Sequence, residues 1–167
     1  MKKRTALTIA RAALIAALYV ILTYLCALLG LSSGVIQLRV SEMLCILPAF
    51  LPEAIPGLTL GCLLANLLTG AVPMDLIFGT LATLLGAVGA YLLARVPKKL
   101  CFLIPLPTII ANTLILPPVL LYAYGAEQGY LFTTVSVFIG EFLSAGVLGV
   151  LFYLSVAKNR HRLFPDK

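Results

Sequence analysis

The chain is poor in the residues that soluble enzymes use for solvation and catalysis. Charged residues make up 11% of its 167 residues, tryptophan is absent, and His161 is the single histidine. A soluble globular domain has about 25% charged residues, so this composition excludes an ordinary soluble fold. One histidine in a basic tail also excludes a histidine-based metal site or catalytic triad.

Several motifs are missing as well. The four cysteines have no CxxC or Cys/His spacing, and we interpret them as small buried apolar side chains: Cys26, Cys45, Cys62 and Cys101. No G-x-x-x-x-G-K-[ST] loop is present, so the chain cannot hydrolyse ATP by itself. The net charge is +6, but the basic residues form no patch with interleaved aromatics, which argues against nucleic acid as a partner. We therefore expect no catalytic residue, metal or cofactor.

What the chain does contain is six hydrophobic stretches separated by proline, glycine and charged residues. Backbone groups in lipid need internal hydrogen-bond partners, so these stretches predict helices. We expect an all-α polytopic membrane protein with six transmembrane helices in a single integral membrane domain, residues 1–167. The approximate spans are 7–31, 35–51, 57–69, 74–96, 100–124 and 130–157. The second and third are shorter than the roughly 20 residues that cross a bilayer, so their ends are expected at the interface or in a cavity.

The basic residues predict the orientation. Eleven of the twelve lie within residues 2–11, 95–99 and 158–167, with Arg39 as the exception. Six spans place all three clusters on one side of the membrane. Five or seven spans would place one cluster on the other side. Because positive charge favours the cytoplasmic side, we expect a plasma-membrane protein with both termini in the cytoplasm. The basic, apolar start is like a signal peptide, but no cleavage site followed by polar sequence is found, so we expect a retained first helix.

Six polar residues lie inside or beside the spans, away from the cytoplasmic ends. They are Arg39, Glu42, Asn66, Asp75, Asn112 and Glu141. Ionisable groups in a membrane are costly and usually functional, so we expect these residues to line a pocket for a small ligand that opens outward. Structural roles remain open: an ion pair of Arg39 with Glu42 or Glu141, a helix-dipole contact for Asp75, and interhelical hydrogen bonds for the two asparagines.

Two further patterns have competing interpretations. Ala6, Ala10, Ala13 and Ala17 recur at three- or four-residue spacing on the first helix. Small residues at this spacing let another helix approach closely, either in a partner or within the chain itself. The tyrosines near the ends of the fifth and sixth spans, Tyr122, Tyr124 and Tyr130, are typical of an interfacial aromatic belt.

Four motifs carry a resemblance to a known family. They are R-V-S-E at Arg39–Glu42, P-x-x-I-P-G at Pro52–Gly57, G-C-L-x-A-N ending at Asn66, and D-L-I-F-G-T-L-A-T from Asp75. With six short helices and an alanine-spaced first helix, the chain resembles the substrate-binding (S) components of energy-coupling factor (ECF) transporters. Residues 37–84 are most similar to the QueT-type branch, which takes up queuosine precursors, and the fifth and sixth spans are less similar.

The resemblance implies a ligand, partners and roles. The ligand would be a 7-deazaguanine such as preQ0, preQ1 or queuine, bound by the six polar residues. A carboxylate can accept two neighbouring donors of a guanine-like edge, and asparagine can match mixed edges. A transmembrane coupling subunit would dock on the alanine face, two separate ATPase subunits would supply energy, and lipid would surround the helices. The alternatives are an S component for another vitamin or nucleobase, and a non-transporting scaffold subunit.

Overall fold

The computed structural model describes residues 2–31, 37–125 and 129–159. Within these ranges the chain is helical and contains no β-strand. The α-helices are α1 (Lys2–Leu28), α2 (Ala54–Leu68), α3 (Pro73–Leu92), α4 (Leu106–Tyr122), α5 (Tyr130–Glu141) and α6 (Gly149–Lys158). The 3₁₀ helices are Val40–Ala49, Leu93–Arg95 and Lys98–Leu103, and a π-helical turn, Phe142–Leu148, joins α5 to α6. The predicted start of the second span at residue 35 and the tail with His161 lie outside the described residues.

Four helical stretches are long and apolar enough to cross a membrane. They are Arg4–Leu28, Pro73–Arg95, Lys98–Tyr122 and Tyr130–Lys158. Large apolar side chains such as Ile9 and Leu131 are exposed on their outer faces, as lipid contact requires. The predicted all-helical membrane protein is therefore confirmed, and these four stretches correspond to the first, fourth, fifth and sixth predicted spans.

The second and third predicted spans are short helices. At about 2.0 Å per residue, the ten-residue 3₁₀ helix Val40–Ala49 is roughly 20 Å long. At about 1.5 Å per residue, the 15-residue α2 is roughly 22 Å long. Both lengths fall short of a hydrocarbon core of about 30 Å.

The 3₁₀ helix Val40–Ala49 lies inside the helical bundle. Seven of its ten residues are buried, Ile46 completely, and it packs against α1, α3, α6 and the π-helical turn. Long 3₁₀ runs are uncommon because their hydrogen-bond geometry is poor, and Pro48 removes one donor from this one. Packing on several sides therefore holds the segment, and it places the residues at its beginning in the interior.

Small residues bring α1 and α2 together. A Cβ on Gly57 would lie 2.7 Å from the carbonyl oxygen of Ala12, and one on Gly61 would lie 3.0 Å from the Cα of Ala16. The two backbones touch, so neither glycine can be enlarged without moving a helix. Internal packing thus uses the side of α1 that carries Ala12 and Ala16. Four exposed alanines of α1 form what we call the alanine face: Ala6, Ala10, Ala13 and Ala17.

Candidate functional site

A cavity of about 320 Å³ lies at the end of the bundle where the turn between α2 and α3 approaches the end of α4. Its lining includes Arg39, Asn66 and Asp75, three of the six residues predicted to bind a ligand, together with Thr23 and Tyr124. These residues come from α1, the start of the 3₁₀ helix, α2, α3 and the residues after α4. The volume is at the lower end of the range of small-molecule sites.

Asp75 is the centre of the polar contacts in this cavity. It stands in the first turn of α3, where the helix dipole favours a negative charge. Its Oδ2 lies 3.6 Å from Arg39 Nη2 and accepts a 3.1 Å hydrogen bond from the Tyr124 hydroxyl. Its backbone carbonyl accepts a 3.3 Å hydrogen bond from Asn66 Nδ2. The carboxylate of Asp75 is therefore compensated within the protein.

Arg39 immediately precedes the 3₁₀ helix, and its side chain is 17% exposed. Among the described residues its ion pair is with Asp75, and neither Glu42 nor Glu141 forms one with it. This answers the open question about the partner of Arg39. Since 3.6 Å is too long for a strong hydrogen bond, the guanidinium keeps donors for another acceptor in the cavity.

Glu42 lies deeper than the cavity and does not line it. One carboxylate oxygen accepts a hydrogen bond from the Tyr19 hydroxyl of α1, and the other accepts one from the Cys45 thiol at 3.2 Å. One turn further along α1, the Thr23 hydroxyl donates to Ser41 at 2.8 Å. These contacts attach the start of the 3₁₀ helix to α1 directly below the cavity.

Asn112 of α4 and Glu141 of α5 are side by side in the interior. Asn112 is 2% exposed and Glu141 is 5% exposed. Asn112 Nδ2 and Glu141 Oε2 have no hydrogen-bond partner among the described residues, and neither does the hydroxyl of Ser144 in the π-helical turn. Glu141 is within electrostatic range of both Glu42 and Arg39. Unpartnered buried polar atoms are costly, and their clustering marks this region as unusual.

The six predicted residues are thus all shielded, but they form two groups. Arg39, Asn66 and Asp75 line the cavity. The other three, Glu42, Asn112 and Glu141, lie in the interior beyond its lining. Whether any of them binds a ligand remains a prediction.

The sequence interpretation missed Tyr124. Tyr122 is 86% exposed, as an interfacial aromatic belt predicts, whereas Tyr124 turns its hydroxyl to Asp75 and also accepts a 3.3 Å hydrogen bond from the Val72 amide. Partial burial, followed by the nearby Asp75 carboxylate, raises the pKa of Tyr124, and the Val72 amide opposes this. Tyr124 therefore remains a neutral donor at physiological pH.

Tyr19 and Cys45 were also missed as partners of Glu42. Cys45 follows Glu42 by three residues, and this spacing brings side chains together on one face of a helix. The contact between Cys45 and Glu42 could therefore have been predicted from the sequence. Tyr19 lies 23 residues away on another helix, and nothing in the local pattern points to it. The expectation that the four cysteines are buried is confirmed.

Comparison with known proteins identifies a family and one relative that matches over part of its length. The sequence profile of the QueT transporter family matches residues 9–158. A protein of Lactococcus lactis subsp. cremoris (strain MG1363) named "Queuosine precursor transporter QueT" is 44% identical over 84 residues. That match covers 50% of this chain and 49% of the relative, so it spans only about half of the relative's length. No solved structure matches the chain. Because the profile covers most of the sequence, the chain belongs to the QueT transporter family.

Proposed function

We propose that the protein is the membrane-embedded substrate-binding subunit of an ECF-type importer, and that it takes up a queuosine precursor of the 7-deazaguanine class, such as preQ0, preQ1 or queuine. The observation that carries this proposal is the cavity in which Arg39, Asn66 and Asp75 meet. Membership of the QueT transporter family and the name of the Lactococcus relative support the substrate class.

The chemistry of the cavity suits a guanine-like edge. Such an edge offers a ring N–H and an amino group as donors and a keto oxygen as an acceptor. Asp75 can accept from the donors, and the free N–H groups of Arg39 can donate to the keto oxygen. The Arg39–Asp75 pair holds a donor and an acceptor side by side before the ligand arrives, which lowers the ordering cost of binding.

The proposal includes six spans, with Val40–Ala49 and α2 as the two short ones. Both termini are then cytoplasmic, and the cavity opens to the outside. Separate ATPase subunits supply energy, since the chain has no phosphate-binding loop. A transmembrane coupling subunit docks on the alanine face, which no described residue of this chain covers.

The proposal is tested by ligand identification with the isolated protein. The purified subunit is analysed by mass spectrometry for a co-purified small molecule and is then titrated with 7-deazaguanine, its 7-cyano and 7-aminomethyl derivatives, and queuine. We expect saturable binding of at least one of these, and guanine serves as the closest non-deaza control. Binding of a vitamin but no deazapurine would assign the protein to another S component, and binding of no small molecule would favour a scaffold subunit.

A further inference from the structure

The connection between α3 and α4 carries positive charge at a membrane surface. The stretches Pro73–Arg95 and Lys98–Tyr122 are each long and apolar enough to cross a membrane, and residues 96 and 97 alone lie between them. So short a connection stays at the surface where the first stretch ends and the second begins, at the depth of the lipid headgroups. Its three basic residues form what we call the cationic link: Arg95, Lys98 and Lys99.

The cationic link has no carboxylate partner among the residues that the structure describes. Its three side chains are exposed, and the ion pairs of the described residues do not include them. Glu42, Asp75 and Glu141 are shielded in the interior, at a distance from this surface. Glu53 is paired with Arg11. Three positive charges within five residues repel one another, so an anion from outside the described chain would stabilise them.

Exposed apolar side chains border the cationic link on both sides. Leu92, the last residue of α3, is 71% exposed, and Leu100 and Phe102, which follow the lysines, are 41% and 53% exposed. These side chains favour hydrocarbon, whereas the cations beside them favour an anion. An anionic phospholipid offers both, because its phosphate matches the ammonium and guanidinium groups and its acyl chains match the apolar border.

Packing against the bundle holds the cationic link in place. It lies in two short 3₁₀ helices, of which Leu93–Arg95 packs against the buried 3₁₀ helix Val40–Ala49 and Lys98–Leu103 packs against α6. A site that is ordered before its ligand arrives loses less entropy on binding. The start of α1 is different, because residues 4–10 are all exposed and no neighbouring helix forms a wall beside Arg4.

We propose that the cationic link and its apolar border are a binding site for an anionic phospholipid. Asp75 is in the first turn of the 20-residue α3 and the link follows its last residue, so this site and the cavity lie about 30 Å apart. The inference is therefore independent of the proposed function and of the ligand in the cavity. An acidic surface of a partner protein is the competing occupant, but it leaves the apolar border unexplained.

The test compares two lipids with different headgroups. The purified protein in neutral detergent is titrated with phosphatidylglycerol, which is anionic, and with phosphatidylcholine, which has no net charge, and lipid-bound species are measured by native mass spectrometry. We expect the wild-type protein to bind phosphatidylglycerol about ten- to a hundredfold more tightly. The triple variant Arg95→Gln, Lys98→Gln, Lys99→Gln should lose this preference by weakening phosphatidylglycerol alone. Lys98→Gln by itself should weaken it about fivefold.

The matched control removes the same charge from the start of α1. The variant with Lys2, Lys3 and Arg4 all replaced by glutamine should keep the lipid preference. Equal losses in the two triple variants would show a general attraction between charges and would refute the site, as would equal binding of both lipids to the wild-type protein.

The remaining outcomes are equally decisive. A preference that survives in the triple variant of the cationic link refutes the lipid site, and loss of assembly with other subunits in that variant would assign the link to an acidic partner protein. Should the triple variant not purify as a monodisperse species, the single variant Lys98→Gln decides the question. None of these measurements involves a deazaguanine, so a failure of the proposed function would leave this inference standing.

Discussion

The Tyr124 hydroxyl donates a 3.1 Å hydrogen bond to Asp75 Oδ2 and accepts a 3.3 Å hydrogen bond from the amide of Val72. A residue after α4 is thereby joined to the turn before α3 and to the first turn of α3. Asp75 in turn holds Arg39. Although Tyr124 is 45% exposed, it connects three parts of the cavity rim and orients its charge pair.

Tyr124→Phe removes both of these hydrogen bonds and keeps the ring. We expect the dissociation constant of the ligand to rise about three- to tenfold, because one hydrogen bond contributes on the order of 1 kcal/mol. The measurement is a titration of the isolated subunit. Tyr122→Phe, at an exposed tyrosine two residues earlier, is the control, and equal affinity in both variants would show that Tyr124 does not orient the site.

Replacing the carboxylate of the cavity by its amide tests the pocket itself. Asp75→Asn turns a charged acceptor that lines the cavity into a mixed donor and acceptor. Hydrogen bonds to charged groups contribute about 1.5–3 kcal/mol, so we expect affinity for the ligand to fall about ten- to a hundredfold. Calorimetric titration gives the answer, with Glu42→Gln, at a carboxylate that does not line the cavity, as the comparison. If Asp75→Asn leaves the affinity unchanged, Asp75 is not part of the site.

Gly140→Ala tests the contact that links α5 to the cavity. The added methyl group would stand 2.2 Å from the Gln37 carbonyl oxygen, a backbone atom that cannot swing away. Overpacking of this kind costs about 1–3 kcal/mol, and here it displaces the segment that leads to Arg39. We expect a lower melting temperature and weaker ligand binding together. Gly129→Ala, where no atom lies within 4 Å, should change neither.

A larger side chain on the alanine face distinguishes a role in docking from a role in internal packing. Ala13 is exposed, so Ala13→Leu should leave the stability of the isolated subunit and its ligand affinity unchanged. It should prevent assembly with the coupling subunit, because close helix approach needs small side chains. Co-purification from cells that express all subunits measures this. Leu18→Phe enlarges an exposed residue on another side of α1 and should permit assembly; loss of complex in both variants would contradict a specific docking face.

Cysteine labelling tests the orientation. The four native cysteines are buried, so the background from a membrane-impermeant thiol reagent is expected to be low. A cysteine at position 129, in the exposed start of α5, should react from outside intact cells. A cysteine at position 98 should react only after the membrane is opened, because it belongs to a basic cluster. The reverse pattern would place the cavity on the cytoplasmic side.

The helices were largely predictable because their signals are local. Span length, proline and glycine mark the ends of α1, α2, α3 and the long helix that begins at Tyr130 to within five residues. The 3₁₀ geometry of Val40–Ala49 was not predictable, since it depends on packing by helices distant in sequence. The π-helical turn has no sequence signature either, because it adjusts one part of a helix to its neighbours.

The six shielded polar residues were predictable from the sequence, but the partners of their side chains were not. A polar residue in an apolar span is conspicuous in any sequence, and all six that were singled out are shielded in the structure. Arg39 has a carboxylate three residues away, yet it pairs with Asp75 on another helix. The hydroxyl partners, Tyr19 and Tyr124, are 23 and 49 residues from the carboxylates they contact. Spacing along one helix carries no information about such contacts.

The π-helical turn shifts the phase of the last long helix. Residues 133, 137, 140 and 141 are buried before it, and an uninterrupted α-helix would bring residues 148, 151 and 155 to the same side. The buried residues are instead Gly149, Tyr153 and Val156, which lie one, two and one positions later. The π-helical turn thus adds about one residue to the helix and changes which side of the helix the later residues face. Without it, α6 would be rotated by about 100°, and Tyr153 would leave the core while Glu141 kept its place.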